Sequence, residues 1–230
     1  MLTTLVPLTA LFSFAAVGLQ HASAQIVVNG QIFTNGLAIV DAPQPGTTLH
    51  AGATQSVAID ISGDGHLPSS ASTPGSSDST RFDSLEVYLI SYTNSFNLTV
   101  SSGSGLLTQE AGSTVKHIDW LIDPCIQSGN YNLTFYEGSH INGTPYFTIT
   151  PLPIEIQNTS PSSTCANGTN PIQAYPQAQS APDQSPWLNS DNTTSNVTYP
   201  SVGAGVSTRS PVFAMAASAL CAVSVVFAFL

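Results

Sequence analysis

Residues 131–135 read Tyr-Asn-Leu-Thr-Phe, and residues 96–100 read Phe-Asn-Leu-Thr-Val. Side chains alternate between the two faces of a β-strand. The first stretch as a strand puts Tyr131, Leu133 and Phe135 on one face and Asn132 on the other. The second puts Phe96, Leu98 and Val100 together and turns Asn97 away. Both asparagines begin N-x-[ST] sequons, whose sugar must sit outside a fold. A helical period would not separate the two sets, so the stretches are predicted as strands with an inner apolar face. Lys116-His117-Ile118-Asp119-Trp120-Leu121-Ile122 repeats the pattern, with Ile118, Trp120 and Ile122 inward and His117 and Asp119 outward.

Working outward, strands are predicted at about 31–40, 56–61, 84–92, 96–101, 114–122, 131–137 and 144–150, with 152–156 continuing the last. Turn chemistry separates them: Gln44-Pro45-Gly46, Ser62-Gly63-Asp64-Gly65, Ser102-Gly103-Ser104-Gly105, Ser128-Gly129-Asn130 and Asn142-Gly143. About seven short strands with no helical periodicity between the chain ends predict an all-β, antiparallel sandwich. The Ser/Pro-rich run His66–Arg81 is expected as a loop. A Pro-, Ser-, Asn- and Gln-rich stretch follows the last strand, too poor in apolar residues to offset its chain entropy. The expected organisation is a signal at 1–24, a sandwich at 25–158, a disordered stalk at 159–203 and a propeptide at 204–230.

Both ends carry processing patterns. Leu5–Leu19 is an apolar run too short to cross a bilayer comfortably, and the small residues Ala22-Ser23-Ala24 follow it, so a secretory signal cleaved before Gln25 is expected. A retained membrane anchor is the alternative. Near the other end, Gly203-Ala204-Gly205, a polar spacer and the uncharged run Val212–Leu230 make the three parts of a GPI-attachment signal. Attachment is expected at Gly203, with Ser201 and Gly205 as competitors; a tail-anchored helix is the alternative. Removal of the tail takes away Cys221 and leaves Cys125 and Cys165, two cysteines that suit one disulfide in an oxidising compartment.

The chain has 3 Lys and Arg against 13 Asp and Glu, and only 7% of its residues are charged, where soluble domains carry roughly 25%. So few basic groups cannot neutralise a phosphate backbone, which excludes nucleic acid as a partner. Glycosylation is the expected source of solubility. Sequons stand at Asn97, Asn132, Asn142, Asn158, Asn167, Asn192 and Asn196.

Three stretches carry a family resemblance: IVDAPQPGTTLHAGATQSVAIDI (39–61), SLEVYLISY (84–92), and HIDWLIDPCIQSGNYNLTFYE (117–137) with GTPYFTIT (143–150). Their order resembles the N-terminal Ig-like domain of the fungal KRE/KNH cell-wall-synthesis proteins, shared with Ser/Thr-rich GPI-anchored surface proteins. The match covers about Leu37 to Ile156. It implies an Ig-like or fibronectin-like sandwich, a fungal cell surface anchored to the plasma membrane or wall, and a role tied to wall β-glucan. The chain lacks the long basic C-terminal region of the founding members. The family supplies no catalytic motif to transfer.

Chemistry-bearing patterns are sparse. Asp60-Ile-Ser62-Gly-Asp64-Gly65 starts like a calcium loop, but its twelfth position is Ala71, not the required Glu, and a Gly-rich turn is expected. His50, His66, His117 and His140 have no metal-ligand spacing. Copper at an exposed N-terminal His21 would need cleavage after Gln20, a poorer site than the Ala-Ser-Ala triplet. Glycoside hydrolysis needs two carboxylates at a fixed separation; Glu86, Asp119, Asp123, Glu137 and Glu155 are available and no spacing singles out a pair. Among Tyr88, Tyr92, Trp120, Tyr131, Tyr136, Tyr146 and Phe147, core packing is expected for most; Tyr88 and Tyr136 share outward faces and are the least settled, and no site is assigned to either. The expected function is a non-enzymatic, wall-associated glucan-binding or structural module without a cofactor. The alternatives are a wall-modifying enzyme or accessory factor, and a copper-binding surface protein.

Overall fold

A computed structural model describes residues 26–188 except 163, 164, 166, 167 and 176. The segments expected as signal (1–24) and propeptide (204–230), the expected attachment residue Gly203, His21, and the sequons at Asn167, Asn192 and Asn196 lie outside the described residues. No helix among those described is long and apolar enough to cross a membrane.

Ten strands form two sheets of five. They are β1 (Ile26–Val28), β2 (Gln31–Phe33), β3 (Ile39–Ala42), β4 (Thr48–His50), β5 (Thr54–Asp60), β6 (Arg81–Ser91), β7 (Phe96–Ser101), β8 (Val115–Leu121), β9 (Gly129–Ile141) and β10 (Thr144–Gln157). One sheet runs β1-β2-β3-β5-β8 and the other β4-β10-β9-β6-β7. The all-β sandwich expected from alternation is the observed fold. Pairing is antiparallel except between β4 and β10, which run parallel.

The inner faces interdigitate as the alternation requires. Ile32, Val40, Val57, Ile59 and Trp120 of the first sheet meet Leu85, Val87, Leu89, Leu133, Phe135, Leu152 and Ile154 of the second. Tyr131, Leu133 and Phe135 are all buried, as are Trp120 and Ile122, while His117 and Asp119 are exposed.

Several boundaries differ from expectation. The strand predicted at 31–40 is two strands, broken at Thr34–Ala38. There Thr34 Oγ1 donates to the Ala38 carbonyl at 2.7 Å and accepts from Gly36 N at 3.1 Å. β9 and β10 are longer than predicted, and β10 continues through Pro145, Pro151 and Pro153. Those prolines are odd-numbered. Along β10 the odd-numbered N–H groups point away from β9: Phe147 N bonds Ser180 O, and Glu155 N bonds Thr47 O. A missing N–H on that edge costs no ladder bond with β9, which is where a strand tolerates proline. The loop after β5 holds a short 3₁₀ turn at Ser69–Ser72 that buries Ala71, and a single helical turn, α1 (Gly105–Thr108), follows β7.

The Asp60 region is a turn. The Asp60 carboxylate accepts from Ser62 N at 2.6 Å and Asp64 N at 2.9 Å. Cys125 and Cys165 are joined by a disulfide that closes 40 residues around the β9–β10 hairpin. In the chain-entropy account a loop of that length stabilises by about 4 kcal/mol.

One buried carboxyl group ties the sheets together. Glu137, on β9 and 2% exposed, accepts from Leu37 N at 2.7 Å through one oxygen and from Ala38 N at 2.9 Å through the other. The carboxylate lies so close to Gly36 that a Cβ there would collide with it. Burial pushes the Glu137 carboxyl above its ordinary value of 4.5, against the pull of the two backbone donors. The folded state therefore binds this proton more tightly than the unfolded state. Its contribution to stability is full below pH 4.5 and is lost as pH rises through the raised folded value. We predict that Glu137→Ala, which leaves two buried N–H groups without a partner, costs about 3 kcal/mol in urea unfolding. The stability difference between wild type and Glu137→Gln should shift in favour of Gln as pH rises from 4.5; a difference independent of pH would refute the assignment.

Candidate functional site

The outward face of the second sheet holds the residues that alternation turned away from the core. Register sets Asn132, Ile90 and Asn97 in one row across β9, β6 and β7, and Thr134, Tyr88 and Thr99 in the next. Glu86 and Tyr136 form the third. Tyr88 and Tyr136 are diagonal cross-strand neighbours, close enough for aromatic contact. Their rings meet edge to face at 5.3 Å, and Tyr136 meets Phe147 of β10 at 6.1 Å.

Solvent does not wash all of this face. Residues 168–175 and 177–188, expected as unstructured stalk, lie along the sandwich as a strap. The strap makes backbone hydrogen bonds at two places. Thr99 N donates to Gly168 O at 2.9 Å and Asn170 N to Asn97 O at 2.8 Å; further along, Phe147 and Ser180 exchange both of their backbone bonds. Tyr175 packs against Tyr92 at 5.0 Å. At the far end Trp187 stacks on His66, donates from Nε1 to Leu37 O at 2.7 Å, and packs with the Val28–Phe33–Ile39 cluster. Gly63 makes room for that indole, since a Cβ there would come within 2.6 Å of it. The stretch is poor in apolar residues, but a few rings docking on an existing sheet suffice to seat it.

The structure corrects the outward placement expected for two sequons. Asn97 is 5% exposed and Asn132 3%. Alternation assigned both to the face away from the core, but that face is itself buried at these rows. Asn97 Nδ2 donates to Pro171 O at 3.1 Å. Asn158 is partly buried, its Nδ2 donating to Pro124 O at 2.8 Å and Ile126 O at 2.7 Å. Asn142 stands exposed at the β9–β10 turn.

Between sheet and strap lies a cleft of about 670 Å³. Glu86, Tyr88, Asn97, Tyr136 and Phe147 line it from the sheet, and Asn170, Gln173 and Gln177 are among the strap residues opposite. Tyr88 Oη donates to Glu86 Oε2 at 2.9 Å, which fixes both groups. Burial first, and the neighbouring Glu86 second, push the Tyr88 phenol above its ordinary range, and burial does the same at Tyr136. Both phenols are therefore neutral near pH 7. Asn97 Oδ1 is buried in the wall with no hydrogen-bond partner.

Glu86 is the one carboxylate lining the cleft. Asp119 lies on the other sheet, Asp123 accepts from Cys125 N at 2.8 Å, Glu137 is internal, and Glu155 is exposed beside Thr48. The histidines are dispersed: His117 meets Glu110, His140 meets Asp83, His66 meets Trp187, and His50 sits on β4. Among the described residues no three His, Cys, Asp or Glu side chains gather as a metal site. A second cavity, about 600 Å³, lies between the Ser-rich loop and the segment after α1. Lys116, buried beside it, gives its ammonium to the Glu110 and Ser113 carbonyls at 3.0 and 2.9 Å.

No protein-family model matches the chain, and no curated protein matches it.

Alternation turned Tyr88 and Tyr136 away from the core, but the sequence placed no site on them. Sequence reasoning missed the strap wall. The signals there were two rings, Tyr175 and Trp187, and the apolar Ile172 and Leu188, in a stretch otherwise rich in Gln, Pro, Ser and Ala. We predict that Trp187→Ala costs about 2 kcal/mol, through lost packing and an unpaired Leu37 carbonyl. Urea unfolding followed by the remaining Trp120 measures this, and an unchanged midpoint would show that the strap end is not anchored there.

Proposed function

We propose that this chain is a secreted, N-glycosylated, GPI-anchored cell-surface protein whose head binds a neutral polysaccharide. On the resemblance to the fungal cell-wall-synthesis family, the polysaccharide is wall β-glucan. The head is a non-catalytic module.

The tyrosine-lined cleft carries this reading. Its aromatic rings offer flat apolar faces to the C–H faces of a sugar, and its amides and single carboxylate offer hydrogen bonds to hydroxyls. A near absence of cationic side chains, 3 Lys and Arg in the chain, matches an uncharged ligand better than an acidic one. Acid–base hydrolysis uses two carboxylates, and the cleft lining supplies Glu86 alone.

The test is to incubate the full chain, made with N-glycosylation blocked so that the cleft keeps both walls, with insoluble β-1,3-glucan, β-1,6-glucan and chitin, then to assay both pellet and released sugar. We predict selective pelleting with one glucan and no soluble oligosaccharide. Tyr136→Ala and Phe147→Ala should each weaken retention about tenfold, equivalent to ~1.4 kcal/mol. Released oligosaccharide would contradict the non-catalytic reading. Pelleting that ignores both substitutions would place binding elsewhere on the head.

A further inference from the structure

The segment that walls the cleft pairs with a glycosylation sequon itself. The sequon is Asn97-Leu98-Thr99, and all three residues are engaged. Asn97 gives its Nδ2 to Pro171 O at 3.1 Å and its carbonyl to Asn170 N at 2.8 Å. Leu98 forms a β-bridge with Thr169. Thr99 accepts from Asn170 Nδ2 at 2.9 Å through Oγ1, and its N–H bonds Gly168 O. N-linked sugar is attached at Asn Nδ2, the atom that here points into the Pro171 carbonyl. A glycan on Asn97 therefore has no path outward while residues 168–171 are seated.

Chain order decides which occupant comes first. Asn97 precedes Asn170 by 73 residues. At ordinary synthesis rates that gap is roughly 4–15 s. Oligosaccharyl transfer acts on the extended nascent chain at the translocation channel, so Asn97 is presented before the strap exists to cover it.

We infer that an N-glycan on Asn97 and the 168–180 strap are mutually exclusive occupants of one sheet face, so that glycosylation of this sequon controls whether the cleft has its second wall. The covalent step is the ordinary one: the Asn97 amide nitrogen displaces the lipid diphosphate from the donor oligosaccharide, forming the N-glycosidic bond and releasing one amide proton. In the unmodified chain the strap is seated and the cleft is complete. In the modified chain residues 168–180 are displaced, and Tyr88 and Tyr136 lie on an open sheet. The inference rests on the secretory part of the proposed function, but its test does not depend on polysaccharide binding.

The experiment is to secrete the full chain from a eukaryotic host, map sugar at each sequon by mass spectrometry, and digest the folded protein with subtilisin. The Asn97-glycosylated form is compared with the unsubstituted chain made with N-glycosylation blocked, which keeps the Asn97 and Thr99 side-chain bonds to the strap. The expected result is sugar on Asn97 in wild type, with cleavage inside 168–180 faster by about tenfold or more than in the unsubstituted chain without sugar. Equal cleavage rates would overturn the exclusion. An empty Asn97 beside an occupied Asn142 would also overturn the switch, while the surface-glycoprotein reading stands. A secreted chain without sugar at any sequon would remove both.

Discussion

The turn from Thr34 to Ala38 is the junction on which the rest of the molecule depends. It belongs to the first sheet by chain position, yet two of its amides are satisfied by the second. Leu37 and Ala38 donate to the two oxygens of Glu137, and the Leu37 carbonyl accepts from Trp187 at the end of the strap. Three parts of the fold meet at one peptide unit. A buried carboxylate is expensive, and it is retained here because two backbone donors face it with good geometry. Its orientation is further set by Gly36, where any larger residue would displace it. The apolar core supplies most of the driving force for folding. The Glu137 bonds fix how the sheets sit relative to each other, and so where β9 presents Tyr136.

That placement gives the outer face of the second sheet its character. An outward sheet face is ordinarily polar and wet. This one carries Tyr88, Tyr136 and Phe147, and the chain returns across it. The strap pairs with β7 at one place and with the free edge of β10 at another, and the β10 pairing also covers backbone groups that would otherwise template association. Pro145, Pro151 and Pro153 blunt other parts of the same edge. The strap is thus both an edge cover and the second wall of a cleft, and the Cys125–Cys165 disulfide holds the chain to the head just before the strap begins.

Much of the fold was legible because period-two alternation is a local property. Tyr131, Leu133, Phe135, Trp120 and Ile122 announced the inner face without tertiary information. β1 and β4 were not legible: each is three residues long, and in β4 only Leu49 is buried. Turn chemistry at Thr34-Asn35-Gly36 was present, but the apolar residues flanking it read as one continuous strand. Alternation also said correctly that Asn97 and Asn132 leave the core, and could not say that their face is covered. Burial of a second face depends on a segment some seventy residues away in the case of Asn97, a non-local fact with no periodic signature. The candidate site was barely readable for the same reason: alternation gave the face of Tyr88 and Tyr136 but no reason to place a site there, and Asn170, Gln173 and Gln177 carried no signal.

The account centres on a strap that belongs to the folded head. Amide hydrogen exchange on the unglycosylated full chain tests this most directly. The account predicts that the Asn170 and Ser180 amides, bonded to Asn97 O and Phe147 O, exchange at least ~100-fold more slowly than in a free peptide, alongside protected Leu37 and Ala38. Exchange of Asn170 and Ser180 at free-peptide rates, with Leu37 and Ala38 still protected, would contradict it: the sheets would be clamped as described, and the outer face would be bare.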